Sequence, residues 1–333
     1  MQTLSCALAL LSGVIGAGFA SGREVAHFFA AHGRAAPAAV IAAGLALPLL
    51  LLRLCGQMER ARARTLSALC RLRFGGRFGR LCAGLFALLS AVTGGAMLAA
   101  CAELFALTLP VRGAYAIGLF VSLPLGAYLA RRGAAGLALP GAALCALLCV
   151  LLIRLCALPD GEASFLPAGR TLRAAFDGLC YAALSAAMLC SALPAIMPLN
   201  SRRRARAGFL FGALFTLLLA LASHTLLRSR QAALAQPLPF VALSRRLGKT
   251  GYWLCAGAMY AAALSTLCAM LTGLRSALRC GPLGAALLCL LFALLGFGPL
   301  VSRGYPVLGA LCAALCALLC LPMADQSDNS SVR

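Results

Sequence analysis

Apolar residues in this chain come in blocks of about 20, and the polar residues collect between the blocks rather than on one face of each. A block of that length spans the roughly 30 Å of a bilayer's hydrocarbon as a helix. The pattern predicts ten such helices, at 4–31, 36–55, 81–109, 113–130, 135–157, 172–199, 207–227, 251–278, 282–301 and 304–322. Short polar breaks separate several of them: Gly33-Arg34 before Pro37, Arg131-Arg132-Gly133, and Arg303-Gly304. The larger polar stretches are 57–80, 228–251 and the tail 323–333. Little chain is left for a soluble domain.

Two blocks depart from plain Leu/Ala filling. The first carries Gly13, Gly16, Gly18 and Gly22, and Arg23-Glu24 follows at once. Glycine weakens a helix, and charge at membrane depth is costly unless it faces protein or a water-filled cavity. The sixth holds Asp177-Gly178, the run Ser185-Ala186-Ala187, then Ser191, Pro194 and Pro198. Interrupted segments in matching places of two halves point to a transporter binding site near the bilayer midplane. The halves here are 1–157 and 171–322. Five spans in each force opposite orientations, which is an inverted repeat. The expected fold is thus an all-α integral membrane protein of about ten helices in a 5+5 arrangement, with broken first and sixth helices.

Composition supports the membrane setting: 62% of residues are hydrophobic and 11% charged, against about 25% charged in soluble domains. The net charge of +21 does not mark a nucleic-acid binder. All basic residues but Lys249 are arginine, and they lie mainly in the loops, as topology-setting charge does. The stretch from Arg53 to Arg80, the pair Arg131-Arg132, the run Arg202 to Arg206, and Arg275 with Arg279 fall on one side. They place both chain ends in the cytoplasm. The 17 cysteines occur singly within apolar helices and form no CxxC; they read as small apolar residues, not as metal ligands or disulfides. No basic stretch precedes Arg23, so the first block reads as a retained span, not a signal peptide. No nucleophile–base pair, metal cluster or phosphate loop suggests an enzyme or a bound cofactor.

The run Gly16-Ala17-Gly18-Phe19-Ala20-Ser21-Gly22-Arg23-Glu24, followed by Phe28-Phe29 and His32-Gly33, resembles the YkvI-like bacterial membrane proteins. These belong among the LeuT-fold transporters of the amino acid/polyamine/organocation superfamily. The resemblance is strongest over the first 60 residues. It implies a secondary active transporter for a small amino acid or related amine, working by alternating access and driven by sodium. It also implies an ion site between carbonyls of the first span and hydroxyls of the eighth. Those positions are Ser12, Ile15, Ala262, Ser265 and Thr266. The other reading is that the two hydroxyls simply bond back to the preceding turn.

The second half-helix is expected to begin near Ala20-Ser21-Gly22, where its free N–H groups would hold a substrate carboxylate; the substrate positions expected on this span are Gly16, Ala17, Gly18, Phe19, Ser21 and Gly22. An amino group would meet Ser185 and Ser191, with Thr93 opposite. Gly94-Gly95 serves either that site or close helix packing. The third span has no central tyrosine, for which Tyr181 and Tyr260 are candidate substitutes. Arg23 and Asp177 form a candidate outer gate or a fixed structural pair. Glu24 and His27 share a helix face and are candidate proton carriers. A non-transporting sensor or scaffold that keeps the fold is the alternative function. The expected partners are a small-molecule substrate and the lipid bilayer, with no nucleic acid; the coupling ion expected is sodium, with a proton route through Glu24 as the alternative, and no transition metal.

Overall fold

The first apolar block starts as an ordinary helix, α1 (Gln2–Val14), and stops at Ile15-Gly16. There the Gly16 N–H turns to the Val14 carbonyl (2.8 Å) instead of to Ser12, four residues back. One turn of helix follows, α2 (Ala17–Ser21), and ends at Gly22 with φ +82. That left-handed conformation costs a residue with a β-carbon about 1 kcal/mol or more, so glycine is the natural stop. A second short helix, α3 (Arg23–Phe28), leads into a 3-10 turn at Ala30–Ala35. The predicted break is therefore real, but it begins one residue before Gly16-Ala17-Gly18 and is followed by a second break at Gly22.

This computed structural model describes residues 2–63, 65–132, 138–158, 170–189, 200–229, 236–278 and 281–321. Within them the chain continues as α4 (Ala36–Arg60), α5 (Leu66–Phe74), α6 (Gly76–Thr108), α7 (Ala114–Arg132), α8 (Ala138–Cys156), α9 (Thr171–Leu189), α10 (Ser201–Leu227), α11 (Pro239–Ser244), α12 (Gly248–Leu278), α13 (Pro282–Ala293) and α14 (Tyr305–Cys320). No strand occurs among the described residues. Among the described residues seven helices are long and apolar enough to cross a membrane, and Thr3–Val14, Ala146–Cys156 and Leu283–Ala293 are shorter apolar helices. The chain is a multi-pass membrane protein. Its outward faces agree: Ile41, Leu45 and Leu49 on α4, and Leu283, Leu287 and Leu291 on α13, are exposed at one-turn spacing, as lipid-facing rows require.

Two groups of helices pack internally. One is α4 against α9 and α10, with α1 on α9 and α10; the other is α6, α7, α12 and α13. α6 lies at the centre, and every residue from Ala91 to Ala102 is buried. Gly94 and Gly95 serve that packing. A β-carbon on Gly94 would lie 2.6 Å from Cys289 Sγ, and one on Gly95 would lie 2.8 Å from the Cys289 carbonyl. The short helix α2 touches α6 and α12, so the break in the first span sits where the two groups meet.

The last two spans divide differently from expectation. α13 ends at Ala293, and the chain turns at Leu295-Gly296, where Gly296 has φ +84. Helix resumes at Phe297 with Pro299 in its first turn and runs through a π-helical stretch, Leu300–Gly304, into α14. Arg303-Gly304 is therefore inside a helix, not between two. A left-handed glycine followed by proline is the stronger stop signal, while Arg303 stays exposed on the helix surface. Of the features expected to make the sixth span irregular, Asp177-Gly178 and Ser185-Ala186-Ala187 lie within the continuous helix α9, and Ser191, Pro194 and Pro198 fall outside the described residues.

Candidate functional site

The break in the first span presents backbone on one side and a buried carboxylate on the other. On the first side it faces α12. A β-carbon on Gly16 would lie 3.0 Å from Thr266 Oγ1, so the backbone at the break lies against that hydroxyl. Because the Gly16 N–H bonds to Val14, the Ser12 carbonyl loses its regular i+4 donor. The Ile15 side chain is buried. Of the five expected ion positions, Thr266 lies against the break, at Gly16, which was not one of them. Their hydroxyls are spent internally: Ser265 Oγ and Thr266 Oγ1 donate to the Ala262 carbonyl at 2.9 and 3.0 Å, and Ser12 Oγ donates to Ala9 at 2.9 Å.

On the other side lies Glu24. Its carboxylate fills the space that a side chain at Gly18 would occupy, so carboxylate and α2 backbone are in direct contact. The Tyr181 hydroxyl of α9 donates to Glu24 Oε2 at 3.1 Å. Aromatic rings surround this pair: Phe29 stands edge-on to Tyr181 at 5.1 Å, Phe28 is tilted at 5.3 Å, and Phe215 of α10 stacks at 6.5 Å. Ser185, one turn after Tyr181, neighbours its hydroxyl, and Tyr305 at the start of α14 neighbours both Glu24 and Thr93. Tyr305 and Thr93 are wholly buried, and among the described residues neither hydroxyl reaches a hydrogen-bond partner.

Three of the nine expected substrate positions surround one point. Gly18, Thr93 and Ser185 belong to the Glu24–Tyr181–Tyr305 cluster. Phe19 is buried. Ala17 lies in α2, and Ser191 is outside the described residues. Ser21 and Gly22 have other tasks. The Ser21 hydroxyl donates to the Gly18 carbonyl (3.0 Å) and accepts from the Arg23 N–H (3.2 Å), tying α2 to α3. Gly22 leaves room for the Phe240 ring of α11, 2.9 Å from where its β-carbon would be.

The expected Arg23–Asp177 gate is not formed. Asp177 Oδ2 lies 3.0 Å from His32 Nε2, in an approach off-axis for a hydrogen bond. Arg23 donates through Nη1 to the Gln236 carbonyl at 3.2 Å. The reason is local: the 3-10 turn after α3 swings His32 over the start of α9, while Arg23 points toward the segment before α11. Tyr260 is likewise outside the cluster and shares a hydrogen bond of 3.2 Å with Ser122.

No family model matches the chain, and no curated protein matches its sequence. Solved structures do match. One is the Eremococcus coleocola manganese transporter in complex with an aromatic bis-isothiourea substituted compound, at 13% identity and a TM-score of 0.59. The alignment covers 96% of this chain and 78% of that one. The fold is shared with a membrane transporter. At this identity the likeness concerns architecture alone. Neither the resemblance to YkvI-like proteins nor a cargo follows from it.

The sequence reading missed Tyr305 and the role of Glu24 toward Gly18. A signal for Tyr305 was present: it is a phenol next to Pro306 at the head of a helix built mainly from Leu, Ala and Cys. Among the described residues no three His, Cys, Asp or Glu side chains converge as metal ligands.

Proposed function

We propose that this protein is a secondary active transporter that moves a small amino acid or related amine across the bacterial cytoplasmic membrane by alternating access. The observation that carries this reading is the buried break at Ile15-Gly16. It is irregular backbone between α1, which packs on α9 and α10, and α2, which packs on α6 and α12, with Thr266 against Gly16 and the Glu24 carboxylate against Gly18. Irregular backbone at membrane depth is tolerated where it is buried in protein or lines a cavity, and such breaks bind cargo in transporters. The 5+5 repeat of 1–157 and 171–322, the cytoplasmic chain ends and the YkvI-like relationship belong to the same proposal.

The chemistry around the break favours an amine-bearing cargo over a divalent metal. One carboxylate with phenolic and alcoholic hydroxyls suits an ammonium group, whereas a divalent cation calls for several convergent oxygen or imidazole ligands. Sodium coupling through Ser12, Ile15, Ala262, Ser265 and Thr266 is the companion proposal. Its support is the approach of Thr266 to the break and the Ser12 carbonyl released there. Both hydroxyls would turn from Ala262 toward the ion when it binds.

Counterflow in proteoliposomes tests this reading. Vesicles loaded with one unlabelled amino acid or amine are diluted into the labelled compound, with and without a sodium gradient. The expected result is transient accumulation of at least one compound. Specific binding without counterflow for every compound would instead favour the non-transporting sensor or scaffold.

A further inference from the structure

Glu24 lies in a position that an ionised carboxylate does not hold without compensation. The residue is 6% exposed, and neither ion pair among the described residues involves it: those are His32–Asp177 and Arg204–Glu59. Burying a lone carboxylate costs several kcal/mol even after relaxation, and a proton removes that cost.

Among the described residues, the groups facing Glu24 are uncharged. From α9 comes the Tyr181 hydroxyl, from the start of α14 Tyr305, from α10 the Phe215 ring stacked on Tyr181, and from α2 only backbone at Gly18. On its own helix, His27 has Asp177, Arg23 and His32 as its charged neighbours, a separate group. Arg303, in the π-helical stretch packed on α3, is exposed.

The surroundings of the carboxyl group admit a proton. Tyr181 donates to Oε2, which leaves Oε1, against the α2 backbone at Gly18, as the oxygen that would carry it. Tyr305 and Thr93 are wholly buried, and their hydroxyls, each able to donate or accept, have no hydrogen-bond partner among the described residues.

We propose that Glu24 is a proton-binding site that locks the broken first helix: it carries a proton in the conformation seen here and releases it when α2 and α3 part from α9 and α14. On release the proton passes from the carboxyl oxygen to water admitted to the opened cleft, and no other bond is made or broken. The lock is direct because Glu24 touches the α2 backbone at Gly18. It makes proton movement a companion of each opening, whatever the cargo. The inference rests on the reading of the break as the moving element, but its test uses neither cargo nor transport.

The test is amide hydrogen exchange of the purified full-length protein in nanodiscs over a pH series, with no compound added. If opening requires loss of one proton, protection of residues 15–24, corrected for intrinsic exchange, falls about tenfold per pH unit above the point where opening governs exchange. Glu24→Gln keeps the shape and the donor but cannot ionise, so its corrected protection should not change with pH. Infrared spectra give the second readout. A carboxylic-acid carbonyl band at neutral pH should disappear in Glu24→Gln and shift in Tyr181→Phe, which loses the phenolic donor.

The same pH slope in Glu24→Gln as in the unaltered protein would overturn the proposal. So would a carboxylic-acid band that Glu24→Gln leaves in place. Should Glu24→Gln fail to fold, the Tyr181→Phe spectrum decides, because an unshifted band there excludes Glu24 as its source. Absent counterflow with these results intact would count against the transport reading alone.

Discussion

Replacing Gly18 by alanine should change sign with the residue at position 24. In the unaltered protein the added methyl enters the space of the Glu24 carboxylate. The carboxylate sits among aromatic rings and cannot swing aside freely, so the overpacking costs about 1–3 kcal/mol. Displacing it also breaks the bond from Tyr181 and leaves buried polar groups unpaired, for a further cost of about 1–3 kcal/mol. Against this, alanine is a better helix former than glycine by about 1 kcal/mol, and Gly18 lies within α2. The net expected cost is about 1–5 kcal/mol.

In a Glu24→Ala background the carboxylate is gone, and only the propensity gain remains. Gly18→Ala should then be neutral or stabilise by up to about 1 kcal/mol. The assay is unfolding by SDS in mixed micelles, carried out on the four proteins of the cycle. A coupling of several kcal/mol between positions 18 and 24 is expected, since residues in contact couple and distant ones add. Equal costs of Gly18→Ala in both backgrounds would refute the contact and, with it, the placement of Glu24 on the broken helix.

The other expectations are briefer. Ser265→Ala with Thr266→Ala should abolish sodium stimulation of uptake yet cost at most about 2 kcal/mol of stability, because each hydroxyl only bonds back one turn; sodium-stimulated uptake that survives in the double variant would remove the proposed ion site. A double-mutant cycle of Asp177→Asn with His32→Gln should show coupling of about 0.5–3 kcal/mol, while Asp177→Asn with Arg23→Gln should be additive within about 0.5 kcal/mol; the reverse would restore the gate inferred from the sequence. Arg73 of α5 donates to the Leu319 and Leu321 carbonyls at 2.9 and 2.6 Å, so Arg73→Ala should raise hydrogen exchange in the last turn of α14, and unchanged exchange there would show that those bonds add nothing.

The break in the first span was legible because glycine spacing and charge in an apolar block are local signals. Its register was not. Gly16 N–H had two possible acceptors, Ser12 and Val14, and the choice depends on the contact with Thr266, a residue 250 positions away. The last two spans were misdivided for a similar reason: Arg303-Gly304 looks like a loop, but an arginine can ride on the exposed side of a helix, whereas Gly296 ahead of Pro299 cannot continue one. Charge partners were the least legible. Arg23 and Asp177 match in sign and in expected depth, but the 3-10 turn at Ala30–Ala35 brings His32 to Asp177 first. The Glu24–Tyr181 bond joins residues 157 apart, and nothing in either helix alone announces it. Gly94-Gly95 illustrates the opposite limit, since packing and binding share one sequence signature and only the presence of Cys289 across the helix pair decides.

The central claim is that the broken first helix is the working element of a transporter. Counterflow by the unaltered protein and by Gly16→Leu/Gly18→Leu, reconstituted at equal density after both are shown to insert and purify as folded species, tests it most directly. The account predicts accumulation of an amino acid or amine by the unaltered protein and none by the double variant, whose leucines would fill the space beside Thr266 and displace Glu24. Counterflow by the double variant at the unaltered rate would contradict it.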